Sequence, residues 1–571
     1  MRLAASLKLI TIAASAVLAT VVGGAQGRAT TPVTDAMLAI PPPSDWLAWR
    51  GTGASQGYSP LTQINRTNVG QLQLAWSWQM EPGSQQATPL VHAGVMYLPN
   101  PAGIVQALDA ATGDLLWEYR HVTPKGMRPG AAVRGLALYG DRVYLTTVDA
   151  KVVAINAADG TVAWETQVAD PAKGFSFTAG AVAAKGKIIA GLQGCDRFHD
   201  APKCAVVALD AATGKEAWRV TTVAMPGQPG GDSWGTVEPM FRAGTDMWIS
   251  GSYDPVLNLV YWSTSQAKPW TQAARGTDGA ALYSNSTLAI DPDSGKLVWH
   301  YQNLPADTLD MDEVFENILV DDGPRQSVFK MGKLGILWEV ERRTGKFLRA
   351  TDLGYQNSVI VHPETGKVSF RPGMIPKLNE EFDMCPSFGG VKSWRAMAYS
   401  PETKAFYIPA QLTCQKVVFV DVKKVAGGGG AGQGRRNNYH HPQSGDNLGE
   451  FIAMDLSGKI LWKKRQRATF NTAALTTGGG LAFVGDWNRF INAYDVATGD
   501  LLWQTRAPTS PQGFLISYAV AGRQYIAVPV GVGALSWGTD IPLKLTPEIK
   551  RPGIGNSVMV FALPAAAKQG Q

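Results

Sequence analysis

A short phrase that recurs along the chain constrains the fold more than any other feature of the sequence. The phrase reads Asp-x-x-Thr-Gly-x-x-x-Trp and follows a run of strand-forming residues, as at Asp109 to Trp117 and Asp495 to Trp503. Variant copies begin at Asn156, Asp210, Asp291, Glu341 and Asp455, and the copy at Glu341 ends on Phe347. Most successive copies lie 41 to 54 residues apart. Such a period, with a recurrent Trp, is typical of β-propellers.

The local chemistry of the phrase explains why it marks a turn between strands. The Asp side chain can accept hydrogen bonds from the turn backbone, and the Gly tolerates a positive φ. A four-stranded sheet cannot bury both of its faces alone, so such repeats must stack, and a closed ring leaves only short protected edges. Seven copies and the preceding segment with Trp76 and Trp78 predict an all-β, eight-bladed β-propeller with tryptophan-docking repeats.

The composition indicates a large folded domain and gives no sign of a nucleic-acid partner. Only 17% of the 571 residues are charged, and 62 glycines and 35 prolines provide for many tight turns. The net charge of +6 is spread thinly, and Lys/Arg clusters are limited to Arg435-Arg436 and Lys463-Lys464-Arg465. We expect residues 45–565 to form a single propeller domain, after a linker at 28–44 and before a tail at 566–571.

The first 27 residues predict a cleavable signal peptide. Arg2 and Lys8 give a positive start, Leu9 to Val22 is an apolar run, and Ala25-Gln26-Gly27 provides small residues for cleavage. The alternative is an uncleaved membrane anchor, for which the apolar run is short. We therefore expect an exported protein in the periplasm, with no membrane span after the signal is removed.

Four cysteines fit an oxidising compartment, and their spacing suggests two pairs. The expected pairs are Cys195 with Cys204 and Cys385 with Cys414, although the sequence alone allows three connectivities. No Cys-x-x-Cys-His is present, so no covalently attached c-type haem is expected. Electrons leaving the protein would then need a separate acceptor, such as a c-type cytochrome.

Motifs at both ends of the chain resemble those of one enzyme family. Near the start stand Tyr58 to Asn65 and Leu74 to Trp78, and near the end stand Gln524 to Val528 and Gly531 to Gly533. Together with the Trp-docking repeat, and in this order, they resemble the pyrroloquinoline quinone (PQQ)-dependent alcohol dehydrogenases, the methanol and ethanol dehydrogenase family. The likeness extends over residues 45–562. It implies a quinoprotein that oxidises an alcohol to an aldehyde or ketone.

The resemblance implies a cofactor site whose residue types suit a flat, tricarboxylated quinone. Arg134 would grip a cofactor carboxylate with its planar guanidinium. Trp248 would stack on the quinone plane, and Lys333 would lie near the reactive carbonyl. The implied cofactor-binding residues are Gln86, Arg134, Thr178, Gln193, Gly194, Cys195, Trp248, Lys333, Ser393 and Trp394.

The segment from Ala306 to Glu313 resembles the catalytic stretch of the family. Asp310 is implied as the general base, with Lys333 as its catalytic companion, and Asp312 as a metal ligand or a neighbouring acid. Taken alone, an Asp-x-Asp-Glu run is usually a solvated turn. The implied metal ligands are Asp196, Gln266, Asp310 and Asp312, whose hard oxygens favour Ca²⁺. A lanthanide ion is the alternative, because the extra carboxylate of Asp312 suits a trivalent ion.

Several positions depart from the family pattern and bear on the metal and the substrate. The usual metal-binding Glu and Asn are Asp196 and Gln266 here, a shorter and a longer side chain that we expect to compensate for each other. The other departures are Gln86 for a Glu, Ser393 for an Asn, Met127-Arg128-Pro129 for a vicinal disulfide, and Phe470 or Asn471 for an aromatic residue. These changes favour an alcohol larger than methanol. The competing hypothesis is a catalytically inactive propeller that acts as a binding or assembly scaffold in the envelope.

A Gly-rich segment from Ala426 to Gly449 interrupts the repeat pattern. We interpret it as a long surface loop between propeller strands, and the alternative is a lid or rim that borders the substrate funnel. His440 and His441 in this segment could bind a metal, but adjacent histidines are a weak signal.

Overall fold

The computed structural model describes residues 31–127, 132–531, 533 and 537–565. The predicted signal peptide, Arg128, Pro129 and the predicted tail from residue 566 lie outside these described residues. The α-helices within them are Asp35–Ala39, Gln272–Arg275 and Trp537–Leu545, and the 3-10 helices are Val69–Gln71, Pro101–Gly103, Pro171–Lys173, Gly231–Trp234 and Pro239–Phe241. None of the helices found there has the length and apolar character needed to cross a membrane.

Strands build the rest of the regular structure, and the described ranges contain eight sheets of four or five strands each. We number these sheets 1 to 8 along the chain. Sheets 1 to 4 consist of Leu90–His92, Val95–Asn100, Ile104–Asp109 and Leu115–Arg120; Ala137–Tyr139, Arg142–Thr146, Lys151–Asn156 and Val162–Gln167; Val182–Ala184, Lys187–Gly191, Ala205–Asp210 and Glu216–Thr221; and Ser252–Asp254, Leu259–Ser263, Ser286–Ile290 and Leu297–Gln302.

Sheets 5 to 8 follow the same order. They consist of Ile318–Asp322, Arg325–Met331, Ile336–Glu341 and Phe347–Asp352; Ala398–Ser400, Ala405–Gln411, Gly449–Asp455 and Ile460–Gln466; Leu475–Thr477, Leu481–Gly485, Phe490–Asp495 and Leu501–Arg506, with Tyr58–Ser59 added at the edge; and Ile516–Val520, Arg523–Val530, Ser557–Ala562 and Gln73–Gln79. The number of these large sheets equals the number of blades that the repeats predict, and the fold is the expected all-β propeller.

Burial within a large sheet falls from its first three strands to its fourth. In sheet 1 the strand Val95–Asn100 is buried along its whole length, whereas only one residue of Leu115–Arg120 is buried. Sheet 7 has the same gradient between Leu481–Gly485 and Leu501–Arg506. The inner strands therefore pack between neighbouring sheets, and the fourth strand faces solvent, as in the blades of a propeller.

The first and last parts of the chain close the ring together. Gln73–Gln79 is antiparallel to Ser557–Ala562, so the fourth strand of sheet 8 comes from the N-terminal part of the chain. Tyr58–Ser59 pairs in parallel with Leu475–Thr477 and extends sheet 7 in the same way. Both pairings join segments that are far apart in sequence, so the last two sheets depend on chain from both ends.

Tryptophans of the repeated phrase dock each sheet on the next one. A Cβ added to Gly113 would lie 2.6 Å from the ring of Trp76, and one added to Gly160 would lie 2.7 Å from the ring of Trp117. The indole N–H of Trp117 also donates to the carbonyl oxygen of Ala157 at 2.9 Å. The same contact recurs between Gly214 and Trp164, Gly295 and Trp218, Gly345 and Trp299, and Gly499 and Trp462. The turn glycine of one sheet thus makes room for the tryptophan of the sheet before it.

The weakened copy of the phrase, which ends on Phe347, docks on an inserted hairpin. A Cβ on Gly366 would lie 2.5 Å from the Phe347 ring, and Gly366 connects the paired strands Val359–Val361 and Val368–Phe370. The insertion therefore supplies the partner that the next large sheet supplies elsewhere. It also accounts for part of the long interval that follows this copy.

The Gly-rich segment is not a simple loop, which corrects our sequence interpretation. Gln433–His440 is a strand that pairs with Thr413–Phe419, and the latter pairs with Glu381–Met384 in a three-stranded sheet. The glycines before this strand bond to another loop, because the amides of Gly427 and Gly430 donate to the carbonyls of Phe198 and Asp196 at 2.8 Å each. The predicted surface loop is therefore docked on the segment around Asp196.

The two predicted disulfides are confirmed. Cys195 is bonded to Cys204, and Cys385 is bonded to Cys414. The first bond closes a short loop that carries Asp196. The second ties Cys385 to Thr413–Phe419, the central strand of the three-stranded sheet.

Candidate active site

The residues named by the family resemblance occupy loops at one end of the sheets. Arg134 and Thr178 lie just before the first strands of sheets 2 and 3, whereas Gln266 and Lys333 follow the second strands of sheets 4 and 5. Adjacent strands in these sheets are antiparallel, so the start of a first strand and the end of a second strand lie at the same edge. This alternation brings loops from different sheets to the same end of the propeller.

Asp310 is the centre of a buried cluster of charged and amide groups. The Lys333 ammonium lies 2.9 Å from Asp310 Oδ2 and 2.8 Å from Asp312 Oδ2. The side-chain amide of Gln266 donates to Asp310 Oδ1, and the backbone N–H of Gln266 donates to Asp312 Oδ1 at 3.3 Å. All four side chains are nearly buried. The structure therefore brings together the predicted base, its lysine and two predicted metal ligands beside the base.

Burial and charge act in opposite directions on this cluster. Burial raises the pKa of Asp310 well above its usual range, and Asp312 adds to the rise, although Lys333 opposes it. Burial acts to lower the pKa of Lys333, but the attraction of Asp310 and Asp312 outweighs it, so the pKa of Lys333 is raised. The lysine therefore stays protonated and offsets one charge of the two facing carboxylates.

The loop that presents Asp310 is wound around the carboxylate of Asp307. Asp307 accepts hydrogen bonds from the backbone N–H groups of Leu309 and Met311, at 2.9 Å each, and from the side-chain amide of Asn285 at 3.0 Å. Asp310 itself has a φ of 61°, a conformation that is uncommon outside glycine. Such backbone strain persists only where surrounding contacts hold it, and it concentrates at functional sites. Sequence reasoning missed this positioning role of Asp307.

Lys268, which sequence reasoning did not identify, is the lysine on which the charges of Asp196 and of the Asp310 cluster both act. The Lys268 ammonium lies 3.3 Å from Asp246 Oδ2, and 16% of the Lys268 side chain is exposed. Burial acts to lower the pKa of Lys268, but the carboxylates of Asp246, Asp196, Asp312 and Asp310 together raise it. One ammonium group thus feels all three predicted carboxylate ligands. The only sequence signal was the position of Lys268, two residues after Gln266.

Arg134 belongs to a second group of contacts, which links it to three other predicted cofactor-binding residues, Thr178, Gln193 and Trp248. Its Nη1 donates to Thr178 Oγ1 at 2.5 Å and to the carbonyl oxygen of Trp248 at 2.9 Å. Thr178 in turn donates to Gln193 Oε1 at 2.6 Å, and Gln193 donates to Ser176. The Arg134 guanidinium also lies 5.4 Å from the centre of the Trp248 ring. Burial lowers the pKa of Arg134 to about 10, which an anionic ligand would counteract.

Aromatic rings line the space between these groups. Trp248 is in edge-to-face contact with Phe315 at 5.2 Å, and Trp394 is in edge-to-face contact with Phe514 at 6.1 Å. Trp49 contacts Phe514 from another side at 5.1 Å. Together with Ala473 and Ile249 these rings form one apolar cluster. A planar ligand in contact with such rings gains both burial and stacking.

The remaining predicted residues are all buried, but Phe470 lies outside the aromatic cluster. Ser393 is nearly buried beside Trp394, and Gln86 is also nearly buried. Phe470 packs against Phe451 at 5.4 Å in the core around sheets 6 and 7, so it does not join the aromatic cluster. Its neighbour Asn471 is buried and donates to the carbonyl oxygen of Pro511.

Gly194 and the cysteine after it hold the loop of Asp196 in place. A Cβ on Gly194, where φ is 76°, would lie only 2.0 Å from the carbonyl oxygen of Gly174, so no other residue fits there. The backbone N–H of Cys195 donates to Asp246 Oδ1 at 2.9 Å. Both residues therefore fix the position from which Asp196 projects.

The donor set fits a hard cation beside a planar carboxylated ligand. Within the described part of the chain, Gln266 Oε1, Gln86 Oε1, Arg134 Nε and Trp394 Nε1 are buried and have no hydrogen-bond partner. Buried polar atoms normally have partners, so these four atoms are available to a bound ligand. Carboxylate and amide oxygens suit Ca²⁺ or a lanthanide, and a guanidinium suits a carboxylate.

Comparisons with known proteins agree with this geometry. The model of the PQQ family described as glucose/ethanol/alcohol dehydrogenase, beta-propeller domain, matches residues 46–352 and 446–526. The quinohemoprotein alcohol dehydrogenase ADH IIB of Pseudomonas putida is 33% identical over 92% of this chain and 78% of its own length. The quinoprotein alcohol dehydrogenase PedH of Pseudomonas putida is 32% identical over 90% of each chain.

A solved structure gives the same result for the fold. The europium-containing methanol dehydrogenase superposes with a TM-score of 0.84 at 27% identity, over 92% of this chain and 99% of that one. The family model and both curated relatives extend over more than half of the chain. The chain therefore belongs to the family of PQQ-dependent alcohol dehydrogenases and is an enzyme of that class.

Proposed function

We propose that this enzyme oxidises an alcohol larger than methanol to an aldehyde or ketone in the periplasm and passes the electrons to a separate acceptor. The observation that carries the proposal is the convergence of Gln266 and Lys333 on the carboxylate of Asp310, with Asp312 paired to the same Lys333 ammonium. A carboxylate held from two sides in a buried loop can meet a substrate hydroxyl in a fixed orientation.

The proposed roles follow from the contacts of each side chain. Asp310 accepts the hydroxyl proton of the alcohol, while Lys333 and Gln266 hold its two oxygens in place. Arg134 and Thr178 would hold a carboxylate of PQQ. When bound, PQQ supplies the carbon that accepts hydride, and the metal ion polarises the adjacent carbonyl.

The metal ion would be held by Asp196, Gln266, Asp310 and Asp312. Gln266 Oε1 is the free oxygen of a side chain whose N–H already points at Asp310, so it can ligate a cation without breaking that bond. Asp196 and Asp312 reach the same region from sheets 3 and 5. Their hard oxygens are compatible with Ca²⁺ and with a lanthanide ion.

The substrate, location and acceptor are inferred from the relatives and from the sequence. Both curated relatives are named for alcohols in general, which favours a broader substrate than methanol. The predicted signal peptide and the two disulfides suit an exported protein in an oxidising compartment. The absence of Cys-x-x-Cys-His from the sequence favours a separate acceptor, such as a c-type cytochrome.

Reconstitution tests the proposal directly. Apoprotein would be mixed with PQQ and either Ca²⁺ or La³⁺, and dye reduction would be measured with alcohols of increasing size. We expect turnover that rises from methanol to larger primary or secondary alcohols. PQQ binding without turnover under any of these conditions would instead support the inactive scaffold.

A pair of variants isolates the role of Asp310. Asp310→Asn should keep PQQ, measured by its absorbance after gel filtration, but lose at least 100-fold in turnover, in line with the usual contribution of a general base. Asp486→Asn is the matched control, because Asp486 is also a buried aspartate but bonds to Gln466 and Asn492 of sheets 6 and 7. Equal turnover of the Asp310 variant and the control would refute the assignment.

A further inference from the structure

The pair formed by Asp246 and Lys268 lies between the two segments that carry candidate metal ligands. Asp246 accepts the backbone N–H of Cys195, the residue before Asp196, and its other oxygen faces the Lys268 ammonium at 3.3 Å. Lys268 follows Gln266 by two residues. A charge pair therefore connects the neighbours of two predicted ligands from sheets 3 and 4.

The backbone around this pair is rigidly bonded. Ala243–Gly244 forms a short ladder with Ala267–Lys268, and Gly244 donates to the carbonyl oxygen of Cys195 at 2.8 Å. Thr245 donates to the carbonyl oxygen of Gln266 at 3.1 Å. The main chain of Lys268 is thus held against the segment 243–245, and its ammonium is held by the pairing with Asp246.

The charge of Lys268 changes the net charge around the predicted metal site. Lys268 pairs with Asp246, Lys333 pairs with Asp310 and Asp312, and the negative charge of Asp196 also acts on Lys268. A bound metal ion requires ionised carboxylates, and in that state four negative and two positive charges leave an excess of two negative charges, which one divalent cation balances. Without Lys268 the excess is three, which suits a trivalent ion. The charge of PQQ is the same in both cases, so it cancels from the comparison.

We propose that Lys268 is a fixed counter-charge that biases the metal site toward a divalent cation such as Ca²⁺ and against a trivalent lanthanide ion. This inference rests on the proposed PQQ and metal site and assigns a specificity role to a residue outside the ligand set. It opposes the effect of Asp312, whose added carboxylate favours the trivalent ion. Lys268 and Asp312 thus shift the preference of the site for divalent or trivalent cations in opposite directions.

The size of the effect follows from Coulomb's law. A unit charge about 6–10 Å from an ion, at an effective permittivity of ~20, changes the affinity by roughly 15- to 100-fold for each added charge of that ion. Lys268→Met removes the charge and keeps the length of the side chain. We therefore expect this variant to raise the ratio of La³⁺ affinity to Ca²⁺ affinity by about that factor.

The measurement is a calorimetric titration of each metal into apoprotein with PQQ present, so it does not depend on turnover. Asp246→Asn should lower the affinity ratio, and the double variant with Lys268→Met should return it close to the wild-type value. Lys268→Arg keeps the charge and should leave the ratio near that of the wild type. Lys151→Met is the matched control, because Lys151 pairs with Glu165 in sheet 2.

The outcomes separate the possible explanations. If the pair acts only as a structural clip, both single variants lose affinity for Ca²⁺ and La³⁺ equally, the ratio stays constant, and the inference is wrong. A shift in Lys151→Met as large as that in Lys268→Met would also overturn it. If the wild type binds neither PQQ nor metal, the proposed function itself fails, which the same titration detects. Should Lys268→Met not fold, Asp246→Asn and Lys268→Gln provide the same comparison.

Discussion

The turn glycines that receive the tryptophans provide a sharp test of how the propeller is held together. Gly160 has a φ of 77°, and a Cβ at this position would lie 2.7 Å from the Trp117 ring. Gly140 has a similar φ of 59°, but no atom lies within 4 Å of its Cβ position. Both glycines lie in turns at sheet 2. Alanine at Gly140 therefore measures the backbone cost alone, and alanine at Gly160 adds the cost of displacing the tryptophan.

The expected magnitudes differ clearly. An L-residue in the left-handed region costs about 1–2 kcal/mol, which is the whole effect expected for Gly140→Ala. At Gly160 the methyl group must also push Trp117 away, and overpacking typically costs about 1–3 kcal/mol. The displaced indole would lose its 2.9 Å bond to Ala157, which contributes about 1 kcal/mol. We expect Gly160→Ala to lower the free energy of unfolding by about 3–6 kcal/mol in total.

The assay is urea unfolding of both variants and the wild type, followed by tryptophan fluorescence and circular dichroism. Near-UV spectra would report whether the indole environment changes in the Gly160 variant alone. If Gly160→Ala costs no more than Gly140→Ala, the glycine does not act as a spacer for the tryptophan. The docking explanation of the repeat would then have to be abandoned.

Three further predictions address the pH dependence of stability, the Cys195–Cys204 disulfide and the binding of the cofactor. His92 bonds through its two ring nitrogens to Asp45 and to the carbonyl oxygen of Thr31, and its pKa is raised because these contacts outweigh burial, which lowers it. This stabilisation is full below pH ~6.5 and is lost as the pH rises through the raised pKa, so His92→Gln should remove that pH dependence of the unfolding free energy. Replacing Cys195 and Cys204 by serine opens a loop with a sequence separation of 9 and should cost about 2–3 kcal/mol in chemical unfolding. Arg134→Lys should weaken PQQ binding at least 10-fold in a fluorescence titration, since an ammonium cannot replace the planar fork; unchanged affinity would contradict the assigned role.

The sequence was sufficient to predict the propeller because its key contacts are encoded locally. Every copy of the phrase except the one that ends on Phe347 contains both a turn glycine and a tryptophan, so pairs such as Gly160 and Trp117 follow from a periodic pattern. The segment near Gln433 was misjudged for the opposite reason. Glycines there indicated a loop, but their backbone groups bond to Phe198 and Asp196, which lie far away in sequence. Composition carries no information about such a distant partner.

The site was only partly predictable. Asp310, Lys333 and Gln266 were named through the family resemblance, and the structure brings them into contact. Lys268 and Asp246 escaped notice because each is an ordinary charged residue in its own segment. Their importance arises only when the two residues pair and Asp246 also bonds to Cys195, the neighbour of Asp196. A pattern along one chain segment cannot predict an electrostatic interaction between residues of several segments.

The seam between Gln73–Gln79 and Ser557–Ala562 has a consequence for how the molecule matures. The edge of this early strand stays unpaired until nearly the whole chain has been synthesised. During that interval the exposed edge is open to pairing with other chains, so a holding factor or rapid delivery would protect it. Loss of a few residues at the far end would leave the same edge open permanently, and the damage would appear as aggregation before any loss of chemistry.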